Sequence, residues 1–226
     1  MNGVFITGTD TGVGKTVVAC ALTRGLTRGG HAVAVRKPVE SGCARRAGQL
    51  EPADGSALAR AAGNREPLET VTPMRLAHAL SPERAAYLEG VSLGLYDLIA
   101  AARIGDASDF FVVEGAGGFL SPLASDALNA DLALALGLPV LVVAEDRLGS
   151  INHTLLTVEA IERRGLRLAG IVLNAREPEG GHDMANRDDL VSRLGGHVIP
   201  FPHGREDRET VDMLVGLATQ GLEPTA

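Results

Sequence analysis

Cysteine is scarce. Two residues, Cys20 and Cys43, are too few for a disulfide framework and lack the spacing of a metal site, so they read as ordinary thiols of a reducing compartment. Long apolar runs are scarce as well. The longest uncharged stretch, Leu132 to Ala144, is too short to span a bilayer and is broken by Gly137-Leu138-Pro139, so it reads as helix end, turn and buried strand. The opening MNGVFITG has no basic region ahead of its apolar residues; no signal peptide is expected, and a cytoplasmic location follows. No Pro/Ser-rich linker, low-complexity tract or internal repeat divides the chain. With 226 residues at 45% hydrophobic content, one domain over 1–226 can bury a full core.

Positive charge is short, and oddly distributed. The net charge of -7 and the lack of a basic cluster argue against nucleic-acid and anionic-membrane partners and leave small molecules. Of 21 basic residues only Lys15 and Lys37 are lysine. A guanidinium is a broad planar fork and an ammonium a point charge, so a chain that otherwise uses arginine keeps lysine where phosphate is gripped in a tight space.

One of the two lysines lies in the most informative stretch, VFITGTDTGVGKTVV from Val4 to Val18. An apolar run leads into a loop carrying Gly8, Gly12 and Gly14, and Gly14-Lys15-Thr16 opens a helix whose apolar spacing runs through Val17, Val18, Ala21 and Leu22. Backbone N–H groups that converge on a polyphosphate need residues tolerant of positive φ and close approach. Lys15 then meets the β and γ phosphates, the Thr16 hydroxyl suits a Mg²⁺ shell, and the helix start adds unpaired donors and a positive dipole end. The loop is one residue longer than the usual spacing.

Further along, Ala32 to Arg36 reads as a strand after a helix that stops at Gly29-Gly30. Pro38 is expected to halt regular structure, leaving Val39 to Gly42 as a loop at a strand's carboxyl edge, where open α/β sheets bind ligands. That places Lys37, Ser41 and the Gly42 backbone there. A helix is expected over about Gly55 to Ala62, with Asp54 either its N-cap or a metal carboxylate. Asn64 to Ser81 reads as a surface connection, and Ser81-Pro82-Glu83 as a helix start. Helical spacing resumes through Leu95, Leu98, Ile99 and Ala102.

Asp109 to Val113 reads as a buried parallel strand. It ends in Glu114-Gly115-Ala116-Gly117-Gly118, an acid where NTPases hold Mg²⁺, followed by glycines that admit a ligand to the backbone. Pro139 to Ala144 is another buried strand. Ser150 is expected to cap a helix that bears His153 and whose start could receive an anion. Leu168 to Leu173 is a strand ending in Asn174, an amide suited to a purine edge or a turn. Helices at Asp188 to Leu194 and from Thr210, and a strand at Val198-Ile199, complete the pattern. Recurrent β-loop-α order predicts an α/β fold with a doubly wound, mostly parallel sheet flanked by helices.

GTDTGVGKT, KPVESG, Asp54, EGAGG, LGSINH and VLN stand in the order and spacing seen in dethiobiotin synthetases, the ATP-dependent ring-closing enzymes of biotin synthesis. The chain resembles that P-loop family over about Met1 to Asn174, and more loosely at Pro200-Phe201-Pro202. The resemblance implies a cyclo-ligase that takes 7,8-diaminononanoate, CO₂ and MgATP. Carried over by position, Lys15 and Lys37 hold the phosphates and the developing charge, and Thr16, Asp54 and Glu114 surround Mg²⁺. ATP would also meet Gly12, Val13, Gly14, Val17, Gly115, Ala116 and Gly117, with Asn174, Pro200, Phe201 and Pro202 at adenine. Thr11, Ser41, Gly118, Ser150 and Asn152 fall to the substrate. The family works as a homodimer with the substrate site at the subunit interface, and Gly12 brings no side chain of its own.

Two rival readings are weaker. A nucleotide-switched P-loop ATPase that acts through protein partners carries a second lysine early in its loop, where this chain has Thr9-Asp10-Thr11, and a basic amphipathic tail, where 206–226 is acidic. A related amidotransferase synthetase needs a glutaminase domain that 226 residues do not accommodate.

Overall fold

Strands and helices alternate along the chain much as the spacing predicts. The computed structural model describes residues 1–105, 110–176, 184–204 and 206–220. In chain order the elements are β1 (Gly3–Gly8), α1 (Lys15–Arg28), β2 (Val33–Arg36), β3 (Val39–Glu40), β4 (Ala44–Arg46), β5 (Gln49–Glu51), α2 (Ala53–Ala61), α3 (Leu68–Val71), β6 (Met74–Arg75), α4 (Pro82–Glu89), α5 (Leu95–Ala102), β7 (Phe110–Gly118), β8 (Pro122–Ala124), β9 (Ala127–Leu128), α6 (Asn129–Leu136), β10 (Val140–Glu145), α7 (Ser150–Glu162), β11 (Leu168–Asn174), α8 (Asn186–Leu194), β12 (Val198–Phe201) and α9 (Arg208–Thr219). Asp109, the expected first residue of its strand, and 221–226 of the acidic tail lie outside the described residues.

Six strands form one sheet in the order β12-β11-β10-β1-β7-β2, and every pair in it is parallel. Parallel strands need crossovers, and the helices supply them on both faces. The alternation of side chains divides the core accordingly. Phe5, Val113, Val140 and Val142 pack with α5, α6 and α7 on one face. Val4, Ile6, Val112, Leu141 and Val143 pack with α1, α2 and α9 on the other. Because the helix after β1 covers one face and the helix after β7 the other, the chain switches direction between these two neighbours. That crevice at the carboxyl ends is where a doubly wound sheet binds ligands.

The structure departs from the sequence expectations in four places. Pro38 does not end regular structure: β3 pairs with β6, Val39 opposite Met74 and Glu40 opposite Arg75. Asn64 to Ser81 is therefore more than a surface connection; Val71, Thr72 and Leu76 in it are buried, and the Val71 carbonyl accepts from the Lys37 N–H at 2.8 Å. Asp54 is not the N-cap of α2, since Pro52 holds that position. Nor is Ser150 the cap of α7. Gly149 is, at φ 90, and the Ser150 hydroxyl donates instead to the Glu145 carbonyl.

Glycine-rich Glu114 to Gly118 stays in β7 rather than ending it. Ile6 pairs with Glu114 but Gly8 with Gly118, so the register slips and 115–117 bulge from the ladder. Asn129, fully buried at the start of α6, holds that bulge. Its Nδ2 donates to the carbonyls of Ala116 at 2.6 Å, Gly118 at 3.1 Å and Ser121 at 3.3 Å, while its Oδ1 accepts from the Ala116 N–H at 2.9 Å.

Candidate active site

The loop after β1 folds over its own lysine. Gly14 takes φ 94 as the N-cap of α1, and a Cβ there would stand 2.0 Å from Asn174 Nδ2. Only glycine satisfies both the conformation and the approach. The same Nδ2 donates to the Val13 carbonyl at 2.8 Å, so Asn174, at the carboxyl end of β11, braces the loop. Lys15 Nζ donates to the Asp10 carbonyl at 3.0 Å.

Beneath the loop three elements meet. Lys37 follows β2, and its Nζ lies 2.6 Å from Glu114 Oε1 of β7 and 3.3 Å from Asp54 Oδ2 in the first turn of α2; it also donates to the Gly115 carbonyl at 3.0 Å. The Thr16 hydroxyl donates to Glu114 Oε1 at 2.9 Å. Glu114 Oε2 is buried without a hydrogen-bond partner. A buried carboxylate oxygen left bare is costly, unless a donor or cation arrives to meet it.

Burial, and after it the Lys37 ammonium, lower Lys15 to about 8. Burial acts on Lys37 in the same sense, yet Glu114 and Asp54 outweigh it and hold that ammonium above the ordinary lysine range. The two lysines thus differ: one is locked in its charged form, the other waits for an anion. Burial also pushes the Cys20 and Cys43 thiols up to about 11, leaving neither as a thiolate near neutral pH.

A cavity of about 420 Å³ opens on this cluster, lined by Thr11, Gly12, Gly14, Lys15, Thr16, Val17, Lys37, Glu40, Ser41, Asp54, Glu114, Ala116 and Gly117. Glycine loop, paired lysines, hydroxyl and carboxylates together form a phosphate-binding centre with polar groups beside it.

A curated relative from Anaeromyxobacter dehalogenans (strain 2CP-C), an ATP-dependent dethiobiotin synthetase BioD, is 53% identical over 195 residues, 86% of each chain. This chain belongs to the dethiobiotin synthetase family. Another relative of that name, from Ruthia magnifica subsp. Calyptogena magnifica, is 41% identical over 178 residues, 79% of this chain and 82% of its own. The family model described as an AAA domain matches residues 2–201. Among solved structures, a ParA family ATPase from Chlorobium tepidum TLS superposes with a TM-score of 0.54 at 13% identity, over 96% of this chain and 90% of its own. At that identity the likeness speaks for the P-loop fold alone.

Within this dethiobiotin synthetase family member, the cavity gathers most residues singled out from the sequence, but not all. Val13 is buried under the loop, and Gly115 takes part through its carbonyl. Gly118 faces another depression, shared with Leu120, Ser121, His153 and Leu156, and its N–H is committed to Ser121 Oγ at 2.9 Å. Ser150 and Asn152 sit on the first turn of α7, off the cavity lining. Pro200, Phe201 and Pro202 lie beside Asn174, which pairs with Phe201 across β11 and β12. Ser41 lines the cavity while its hydroxyl donates to the Leu80 carbonyl at 2.7 Å.

Glu40, Asn129 and Arg36 escaped the sequence reading. Arg36 is wholly buried beside Lys37 and ties the end of β2 to Glu66 at 2.6 and 2.7 Å and to the Ile104 carbonyl. Each acts across a long sequence separation, and no local spacing announces it.

Proposed function

We propose that the chain works as one ATP-binding and catalytic domain, carboxylating 7,8-diaminononanoate with CO₂ and closing the cyclic urea with ATP. One amine adds to CO₂ as a carbamate; a carbamate oxygen attacks the γ-phosphate and ADP leaves. The second amine then attacks the carbamoyl carbon, and phosphate departs as the ring closes. The observation that carries this reading is the meeting of Lys15 and Lys37 at one phosphate-sized cavity, from two different strands, with Glu114 between them and Ser41 beside them. Phosphoryl transfer of this kind calls for positioning and charge rather than a covalent nucleophile.

Lys37 is suited to the charge that develops on the transferred phosphoryl group, since Glu114 and Asp54 keep it protonated. Lys15 is suited to the β and γ phosphates, whose charge would draw its proton back. A Mg²⁺ ion fits the donor set. Glu114 Oε2 is buried and bare, with Thr16 Oγ1 and Asp54 nearby. Among the described residues no three His, Cys, Asp or Glu side chains form a cage, which agrees with a cation held by one or two carboxylates and substrate phosphates. Thr16, Asp54 and Glu114 would hold it, and it would neutralise charge on the phosphate oxygens.

The attacking amine must be neutral, although a free alkyl ammonium titrates near about 10.4. The protein's own side chains do not make the cavity positive: Glu40, Asp54 and Glu114 stand against two lysines. Lys15, itself an amine in this cavity, falls to about 8 chiefly through burial. Desolvation of the substrate is therefore the route by which the fold would favour a neutral amine.

The working unit is a cytoplasmic homodimer, with Leu148 to Asn152 reaching the substrate carboxylate at the partner's phosphate loop. Among the described residues no helix is long and apolar enough to cross a membrane. Leu148 is 83% exposed at the start of α7, and the free N–H groups of that turn suit a carboxylate. The deciding assay is phosphate release from MgATP with and without the diamine plus bicarbonate, with a cyclic urea sought by mass spectrometry. Release that requires the diamine and yields the urea is expected; release indifferent to the diamine would sink the proposal and favour a switch ATPase.

A further inference from the structure

Helix α2 starts without a side-chain cap of its own. Pro52 occupies the N-cap position and offers no acceptor, so the first N–H groups of the helix must be satisfied from elsewhere. They find Glu40. The Asp54 N–H donates to Oε1 at 3.0 Å and the Gly55 N–H to Oε2 at 2.9 Å, and the carboxylate meets the positive end of the helix dipole.

Glu40 is itself held tightly. It is 5% exposed, and its carbonyl accepts from the Leu76 N–H at 2.9 Å and from Cys43 Sγ at 3.3 Å. On another side of the same turn, a Cβ added to Gly55 would stand 2.0 Å from Thr72 Oγ1. The turn is therefore gripped between β3 and the segment leading to β6, and the side chain it presents to the cavity is Asp54, 3.3 Å from Lys37 Nζ.

We propose that Glu40 is a positioning residue, a cap delivered from β3 that sets where the Asp54 carboxylate stands relative to Lys37 and the metal side of the cavity. This rests on the reading of Asp54 as a metal-side carboxylate. Without the cap the first turn of α2 loses two acceptors at once, and Asp54, 42% exposed, has little else to hold it. A local cap would serve as well. Serine at position 52 places a hydroxyl within reach of the N–H groups of the second and third helical residues, which are the two that Glu40 now serves.

The test measures Mn²⁺ binding by electron paramagnetic resonance in the presence of a non-hydrolysable ATP analogue, beside thermal melting. Glu40→Ala is expected to weaken Mn²⁺ binding about tenfold, the size seen when a group that orients a metal ligand is lost, and to raise the Mg²⁺ needed for half-maximal turnover by a similar factor. Adding Pro52→Ser should recover most of that loss. In an Asp54→Asn background Glu40→Ala should cause no further loss of Mn²⁺ affinity, although it still lowers the melting temperature. Glu40→Gln, which keeps one acceptor oxygen, should fall between Glu40→Ala and the parent and covers the case in which Glu40→Ala does not fold. Lowered melting with unchanged Mn²⁺ binding, or a loss of the same size in the Asp54→Asn background, would overturn the proposal. If Asp54→Asn alone leaves Mn²⁺ binding intact, the reading of Asp54 fails and this inference falls with it, whatever Glu40→Ala does.

Discussion

Replacing Lys37 separates its two jobs. Its ammonium neutralises Glu114 across 2.6 Å in a site where the two side chains are 4% and 0% exposed, and it is placed to meet charge on the transferred phosphoryl group. Lys37→Met keeps the apolar stem and deletes the charge. Breaking a buried pair in this way costs about 3–5 kcal/mol, because the partner is left uncompensated. For a chain of this length each kcal/mol moves the melting temperature by roughly 2–4 °C, so a fall of roughly 6–20 °C is expected in calorimetry of the ligand-free protein. Turnover should fall by about 10²-fold or more, which is about 2.7 kcal/mol of transition-state stabilisation, with MgATP binding by titration calorimetry little changed. Lys37→Ala should behave alike. Lys37→Arg should also be poor, because a planar fork replaces a point charge in a closed space. The double variant Lys37→Met/Glu114→Gln should regain most of the stability and none of the turnover. Turnover within about threefold of the parent in Lys37→Met, measured well below its melting point, would refute the catalytic assignment and leave Lys37 as a counter-ion for Glu114.

Glu114→Gln should raise the Mg²⁺ required for half-maximal activity by roughly tenfold or more, since a hard cation loses an anionic oxygen; a metal titration of turnover reads this. The Lys15 ammonium sits at about 8 in the ligand-free protein against 10.5 ordinarily. Its depressed pKa weakens the folded state fully below pH 8, and that penalty is relieved as pH rises from about 8 toward 10.5. Nucleotide binding should therefore take up a proton at pH 9 and not at pH 6.5, seen as buffer-dependent heats in calorimetry, and equal heats in all buffers at pH 9 would count against it. Asn129→Ala strips four hydrogen bonds from the β7 bulge and should destabilise by about 3 kcal/mol or more in denaturant melts. Mixed dimers of Lys37→Ala with Asn152→Asp should regain about a quarter of parental sites if each site is shared between copies; mixtures proven to exchange yet still inactive would place each site within one chain.

Much was decided by the sequence alone. The six strands of the parallel sheet have short apolar cores whose alternate residues serve opposite faces, and the helices between them show their period locally, so the doubly wound order could be read without coordinates. The phosphate loop was legible for the same reason: Gly14, Lys15 and Thr16 are neighbours, and their chemistry does not depend on distant partners. Lysine usage added Lys37, and the strand-end acid added Glu114.

What only the tertiary structure decided involves residues far apart in the chain. Glu40 caps a helix that begins at Ala53, Asn129 clamps a bulge in β7, Asn174 braces the loop at Val13 and Gly14, and Arg36 joins Glu66 to the Ile104 carbonyl. Asp54 shows the difference most plainly. As a sequence it could be a cap or a cavity carboxylate, and local propensity favours the cap. The cap position was already held by Pro52 and its function taken by Glu40, which freed the Asp54 side chain to face Lys37. Such assignments depend on which groups remain unsatisfied once the sheet has closed, and a hydrogen bond between strands distant in sequence leaves no periodic trace in the residues that make it.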